Sequence, residues 1–236
     1  LNRSAAVGAP DFYTTANNPA RSETCEQAAV RDLLTRQAWV GHPHLRVIKS
    51  EADFSLKIKN LIRAIERVLG IPEPIEIEKK YLLHVPDIRR FIAGYNPVAI
   101  QIEQAYLKPK KGIRPRIRKR GQDECFIYCL TEKQHIESGI NREQERRISC
   151  YDYHRKLEHS RDMTRDIIRK TRYCFLWEGQ YFELDLIHNP ERYQGMAVLE
   201  IELDDPSQEV ILPPLDIYKE ITGNQDFYNA ALAKKA

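Results

Sequence analysis

The chain has 236 residues, 42% of them hydrophobic and 30% charged, and its 37 Lys and Arg stand against 34 Asp and Glu for a formal net charge of +3. It is long enough to bury a core and too polar to be embedded in a membrane. So near a balance leaves no global excess of the kind that marks a nucleic-acid binder; no nucleic-acid partner is expected, and the arrangement of charges must carry the information.

Residues 1 to about 21 are rich in Asn, Ala, Pro and Thr and read as irregular. A helix follows in SETCEQAAVRDLLTRQAW, with Thr24 as N-cap and Gln27 at capping-box spacing. WVGHPHLRVIKS reads as a loop and a short strand, and a second helix runs on Phe54, Ile58, Leu61, Ile62, Ile65 and Leu69 until Gly70 and Pro72 stop it. A boundary is therefore placed near 70–74, dividing residues 1–73 from residues 74–236.

Beyond it the apolar period changes to two. Strands are predicted at 75–83, 99–107, 113–120, 124–131, 142–149, 170–177, 180–187 and 197–204, with a helix in YDYHRKLEHSRDMTRDII and a helical end to the tail. The fold class is mainly β with flanking helices (α+β): a closed eight-stranded antiparallel β-barrel preceded by a small helical N-terminal segment.

Within PEPIEIEKKYLLHVPD, which starts at Pro72, a period of two sets Glu76, Glu78 and Lys80 on one face and Ile75 and Ile77 on the other. RPRIRKR alternates Arg114, Arg116, Arg118 and Arg120; TEK ends in Lys133; KTRY offers Lys170 and Arg172. YFELD gives Glu183 and Asp185, LEIEL gives Glu200 and Glu202, and REQERR adds Glu143 and Glu145 or, in the other phase, Arg142 and Arg146. One charged strand face is ordinary on an open sheet. Recurrence over five segments, with Ser, Thr, Asn and Gln spared, argues for an inward face. Buried charge pairs roughly break even against their desolvation, so the ladder implies a ligand of both signs. A polyphosphate with divalent cations is such a ligand: Arg and Lys match phosphate oxygens, and clustered carboxylates match Mg2+ or Mn2+.

In this order the motifs resemble those of the CYTH family, the triphosphate tunnel metalloenzymes. EIEKK resembles the ExExK signature, RIRKRG the RxR strand at Arg116 and Arg118, Lys133 the next basic position, and Lys170 with Arg172 the later basic pair. Asp185, with Glu183, is similar to the metal-side acid, Glu200 with Glu202 to the late ExE pair, and Tyr228 with Asn229 to the closing helix of some members. The resemblance implies a tunnel in which Lys80, Arg116, Arg118, Lys133, Lys170 and Arg172 hold a triphosphate. Glu76, Glu78, Asp185, Glu200 and Glu202 would hold Mg2+ or Mn2+, with Glu200, Glu202 and Lys80 in catalytic positions. Lys219 is a candidate late lysine.

The implied function is metal-dependent binding and hydrolysis of inorganic triphosphate or a nucleoside triphosphate; no nucleoside pocket is evident, which ranks hydrolysis above cyclisation. The alternative is a non-catalytic module binding GTP or phosphoinositide head groups in membrane trafficking, with peripheral membrane contact. Residues 1–73 resemble the C-terminal part of P-loop kinase-like domains fused to CYTH domains, but no GxxxxGK[ST] occurs. Arg21 and Arg46 are candidate remnants of phosphate contacts, with surface or salt-bridging roles the plainer reading. The histidines show no metallohydrolase spacing, and Trp39 and Trp177 are expected to fill cores. LKPKKGIRPRIRKR could instead be a basic patch for anionic lipid or RNA.

The five cysteines make neither an even framework nor a CxxC pair, which predicts free thiols in a reducing compartment; Cys125 and Cys129 could share a strand face but lack a four-ligand zinc set. No apolar run nears the roughly 20 residues that span a bilayer, and LNRSAAVGAPDFYTT has no signal-peptide core. A cytoplasmic chain is expected; its start at Leu1 rather than Met is compatible with a piece of a longer protein.

Overall fold

A computed structural model describes residues 1–50, 53–71, 75–109, 113–138 and 140–235, apart from the side chains of Arg114 and His135. The proposed boundary at 73/74 lies outside the described residues. In the N-terminal part, the stretch expected to be irregular holds a short helix, α1 (Ala5–Gly8), and a 3-10 turn at Pro10–Phe12. Helix α2 (Cys25–Ala38) starts on the expected capping box, with Thr24 accepting from the Gln27 amide and Gln27 returning a bond to Thr24. Helix α3 (Phe54–Leu69) is capped by Asp53 and ends where Gly70 takes a φ of +69° that its lack of a Cβ allows. The short strand expected before it is a single bridge from Asn2 to Ile48.

The barrel is built from β1 (Ile75–Leu83), β2 (Val98–Tyr106), β3 (Arg114–Gln122), β4 (Cys125–Glu137), β5 (Ile140–Arg147), β6 (Ile168–Trp177), β7 (Gln180–Asn189) and β8 (Ala197–Leu203). Pairing runs β5-β4-β3-β2-β6-β7-β8-β1 and closes where Ile75–Ile77 meets Ile140–Arg142, so the ring is antiparallel throughout. A further strand, β9 (Ile217–Glu220), takes the remaining edge of β1 at Tyr81–Leu83. Between β3 and β4 the chain reverses through Asp123 and Glu124, both at positive φ; a Cβ on Gly121 would stand 2.0 Å from the Cys125 carbonyl, so only glycine fits there.

The apolar core lies mainly on the outside of the barrel wall, under two helices. Helix α4 (Ile88–Tyr95), started by the Asp87 side chain, sets Phe91 and Tyr95 against Phe175 and its neighbours Phe182, Leu184, Leu199 and Ile201. Helix α5 (Cys150–His159) lays Tyr153 over Ala105, Ile117 and Leu130. It is shorter than expected, because the chain turns at Ser160 and leaves helical geometry. The tail ends in a 3-10 turn at Gln225–Phe227 and α6 (Asn229–Leu232), which buries Leu232 against Tyr106 and Ile168.

Trp177 packs at the edge of the core beneath α4 as expected, whereas Trp39 does not fill a core: it caps α2, 48% exposed, against the ring of His42. Arg116, Arg118 and Arg120 from the basic run turn inward and form no surface patch; Lys110, Lys111 and Gly112 of that run lie outside the described residues.

Candidate functional site: a charged tunnel

With the ring closed, alternation sends one side chain in two inward. The inward set encloses a cavity of about 750 Å3, lined by Glu76, Glu78, Lys80, Arg116, Arg118, Lys133, Lys170, Arg172, Glu200 and Glu202. Every site residue expected from the sequence is therefore on its wall except Asp185, which is 1% exposed behind that wall. The phase of β5 left open by the sequence is settled inward for Glu143 and Glu145. Glu183, on the same strand face as Asp185, lines the cavity, as does Arg120. Gln104, Asn141 and Arg67 also line it and were missed. Gln104 sits between Ile102 and Tyr106 in the alternation of β2 and could have been placed inside on that ground; its Nε2 donates to the Tyr106 hydroxyl at 3.0 Å. Lys219 is exposed on β9 and does not line the cavity.

The two signs are closed on each other. Lys80 Nζ donates to Glu200 Oε1 at 2.7 Å and lies 3.1 Å from Glu78 Oε2. Lys133 donates to Glu76 and stands 3.3 Å from Glu78 Oε1. Arg116 Nη2 reaches the two oxygens of Glu143 at 3.2 and 3.3 Å, and Arg118 Nη2 donates to Glu145 Oε2 at 2.6 Å. On the opposite wall, Arg172 forks onto Asp185 through Nε and Nη2, both at 2.7 Å, and extends to Glu200 Oε2 at 2.7 Å and to Glu183. Lys170 completes the set by donating to Asp185. The Nε atoms of Arg116 and Arg118 are buried without a hydrogen-bond partner. A buried donor left unmet costs about 1–3 kcal/mol, so the basic wall retains capacity for an anion.

Electrostatics divide the carboxylates. Burial alone would raise Glu200, but Lys80, Arg172 and Lys170 hold it well below the usual carboxylate range. Glu202 goes the other way. Burial pushes it up to about 7, with Glu76 and Glu183 adding to the rise against the opposing charge of Arg46, which donates to it. Its side chain is 34% accessible where it lines the cavity, which moderates that rise without removing the crowding of like charge. Burial lowers Lys170, a shift that Asp185 opposes and Arg172 reinforces.

No three His, Cys, Asp or Glu side chains among the described residues stand close enough to hold a metal as they are placed. The donor chemistry nevertheless fits a hard divalent cation: Glu78 faces Glu202 across the β1–β8 pair and Glu183 faces Glu200 across β7–β8, so four carboxylates occupy adjoining inward positions.

The closed ring and its inward ladder define a barrel of triphosphate-tunnel type. No family model matches the sequence, and no curated protein matches it. Among solved structures the chain is similar to the inorganic triphosphatase NE1496, at 28% identity over 68% of this chain and 95% of that one, with a TM-score of 0.46. It is also similar to the PH1012 protein of Pyrococcus horikoshii OT3 (19% identity, 56% of this chain and 80% of that one, TM-score 0.42). A putative adenylyl cyclase from Hippeastrum, HpAC1, described as having a dominant triphosphatase activity, matches at 16% identity over 56% and 80% of the chains, with a TM-score of 0.39. No helix among the described residues is long and apolar enough to cross a membrane.

Proposed function

We propose that the chain is a CYTH-family triphosphatase that binds a triphosphate inside the barrel and releases its terminal phosphate with the help of Mg2+ or Mn2+. The observation that carries this reading is the enclosed cavity in which six basic side chains from β1, β3, β4 and β6 face carboxylates from β1, β7 and β8. Lys80, Arg116, Arg118, Lys133, Lys170 and Arg172 neutralise the phosphate oxygens and fix the chain of phosphates along the tunnel. Asp185, shut behind the wall, holds Lys170 and Arg172 in place rather than meeting the ligand. Glu76, Glu78, Glu200 and Glu202, with Glu183 in the position first given to Asp185, would hold the divalent cation, which supplies charge neutralisation and a more acidic bound water when present. For a ligand to enter, Lys80, Lys133 and Arg172 exchange Glu76, Glu78, Glu183 and Glu200 for phosphate oxygens, which frees those carboxylates at the same moment, while Asp185 keeps its hold on Lys170 and Arg172. The enclosure limits bulk water, so the attacking water is one that the carboxylate side orients toward the terminal phosphorus.

Phosphate release from inorganic triphosphate, ATP, GTP and thiamine triphosphate, measured with Mg2+ or Mn2+ beside ligand binding, tests this reading. The wild-type chain is expected to release phosphate from inorganic triphosphate, and Glu200→Gln with Glu202→Gln to lose turnover by at least about a hundredfold while remaining folded and keeping some ligand binding. A second reading starts from the same basic wall: a module that binds GTP or a phosphoinositide head group at a membrane surface without hydrolysis. Tight binding of either, with no phosphate released from any substrate, would establish it instead. The division at 73/74 belongs to this proposal, and the kinase-like origin of the first part rests on its sequence resemblance alone.

A further inference from the structure

The cavity is not made by the barrel alone. The residues that follow α2, 39–50, cross the end of the tunnel where β2 begins: the Gly41 carbonyl accepts from Arg120 Nη2 at 3.0 Å, and a Cβ on Gly41 would touch Val98 and Ile100. The C-terminal tail lies at the opposite end, beside Tyr106. Leu45 and Ile48 are each 4% exposed, the Ile48 amide donates to the Leu1 carbonyl at 2.7 Å, and the Arg3 amide donates to the Ile48 carbonyl at 3.0 Å, so the backbone around Arg46 is fixed. From there the Arg46 side chain, 15% exposed, reaches the cavity wall and donates through Nη2 to Glu202. Among the described residues its Nη1 meets the neighbouring Leu45 carbonyl at 3.1 Å and no other acceptor, and its Nε is buried with no hydrogen-bond partner, 3.9 Å from Asp204 Oδ1.

A guanidinium is a planar fork whose donors suit two oxygens of one phosphate. Here the fork is half used. It is joined to the carboxylate whose partner would change on loading. We infer that Arg46 is a substrate-binding residue supplied from outside the barrel: it neutralises Glu202 in the empty tunnel and transfers to the phosphate at that end of the ladder once Glu202 turns to a divalent cation. The inference rests on the triphosphate reading above. It makes Arg46 the residue that distinguishes a chain of three phosphates from one of two, because Arg46 stands at one end of the ladder and a shorter chain is held by the barrel bases without it.

Calorimetric titration of the whole chain with inorganic triphosphate and with pyrophosphate, each in Mn2+, and with Mn2+ alone tests the assignment on wild type, Arg46→Ala and Arg46→Lys, with thermal unfolding as the check on fold. Arg46→Ala should weaken triphosphate by about ten- to a hundredfold, the loss of one charge-assisted fork, and pyrophosphate by less than about threefold. Mn2+ alone should bind no more weakly than to wild type, since Glu202 has lost its competitor. Arg46→Lys keeps the charge that meets Glu202, and with it the fold, but should still lose severalfold for triphosphate and not for pyrophosphate. Unchanged triphosphate affinity in both variants overturns the inference. So does an equal loss for both ligands, which would mark Arg46 as a tether of the N-terminal stretch. A wild-type chain that binds neither Mn2+ nor triphosphate overturns the tunnel reading and the inference with it, a result distinct from a wild type that binds and an Arg46→Ala that binds equally well.

Discussion

Glu145 shows how much an inward carboxylate depends on its partners. Burial by itself would raise it, but the Arg118 guanidinium, the Thr131 hydroxyl at 2.8 Å, Arg116 and the Cys129 thiol outweigh burial and bring it down to about 2. A carboxylate depressed in the folded state stabilises the fold fully above its unfolded value near 4.5, and loses that contribution as the pH falls from there toward 2. Urea unfolding at pH 7 and at pH 3 should therefore show a drop in wild type that is smaller in Glu145→Gln, by an amount of order 1–2 kcal/mol for one such group. Equal drops in the two proteins would mean that Glu145 is not so depressed. Identity and alternation made the ladder legible in the sequence, and Glu76, Glu78, Lys80, Glu200 and Glu202 all fall where they were placed. Asp185 did not, because its sequence context is the same as that of Glu183; only depth in the wall, with both its oxygens taken by Lys170 and Arg172, separates their roles.

Strands were the most legible elements, since a wall with one charged and one apolar face imposes a period of two along almost its whole length. β1 is found at the expected residues, and the other seven differ mainly at their ends. The missed elements are short. Helix α4 occupies eight residues between Pro86 and Pro97, too few to show a helical period, and β9 is recognisable only by its pairing with β1. Yet α4 bears heavily on the wall, because Phe91 is 3% exposed and its ring meets Tyr95 at 5.1 Å, Phe175 at 5.3 Å and Tyr173 at 5.8 Å. Phe91→Ala should cost about 3–5 kcal/mol in chemical denaturation through lost burial and a residual cavity. A cost below about 1 kcal/mol would show that α4 is loosely attached and that β1, β7 and β8 hold the wall without it. Helix α3 presents the reverse case: its apolar stripe was plain in the sequence, yet Phe54 is 71% and Leu69 65% exposed, because periodicity states which face is apolar and not what covers it.

At the scale of the whole molecule, closure makes one surface of every strand an interior and so decides which thiols can react. All five cysteines are free: Cys125 and Cys150 are exposed and Cys25 is partly so, in keeping with the free thiols expected from their spacing. Cys129 and Cys174 instead point into the barrel from β4 and β6, 3% and 0% exposed. Burial is the largest cause that raises both, Cys129 to about 11 with Glu145 adding and Cys174 to about 12 with Glu183 adding, so at neutral pH neither is a thiolate as well as being out of reach. Neither feature could be read from sequence, where Cys125 and Cys129 are equivalent members of one strand face. β4 is paired on both sides, by β3 and β5, and β6 by β2 and β7, so exposure of Cys129 or Cys174 requires paired strands of the ring to separate. Alkylation with iodoacetamide at pH 8 should label Cys125 and Cys150 first and Cys25 more slowly. Cys129 and Cys174 should be labelled together, at a rate that follows global unfolding as urea is added. Mass spectrometry of the labelled peptides separates the alternatives: early labelling of Cys129 while Cys174 stays protected would place a local opening at the β4–β5 side of the short Ile75–Ile77 seam, and would mean that the tunnel is not a single cooperative unit.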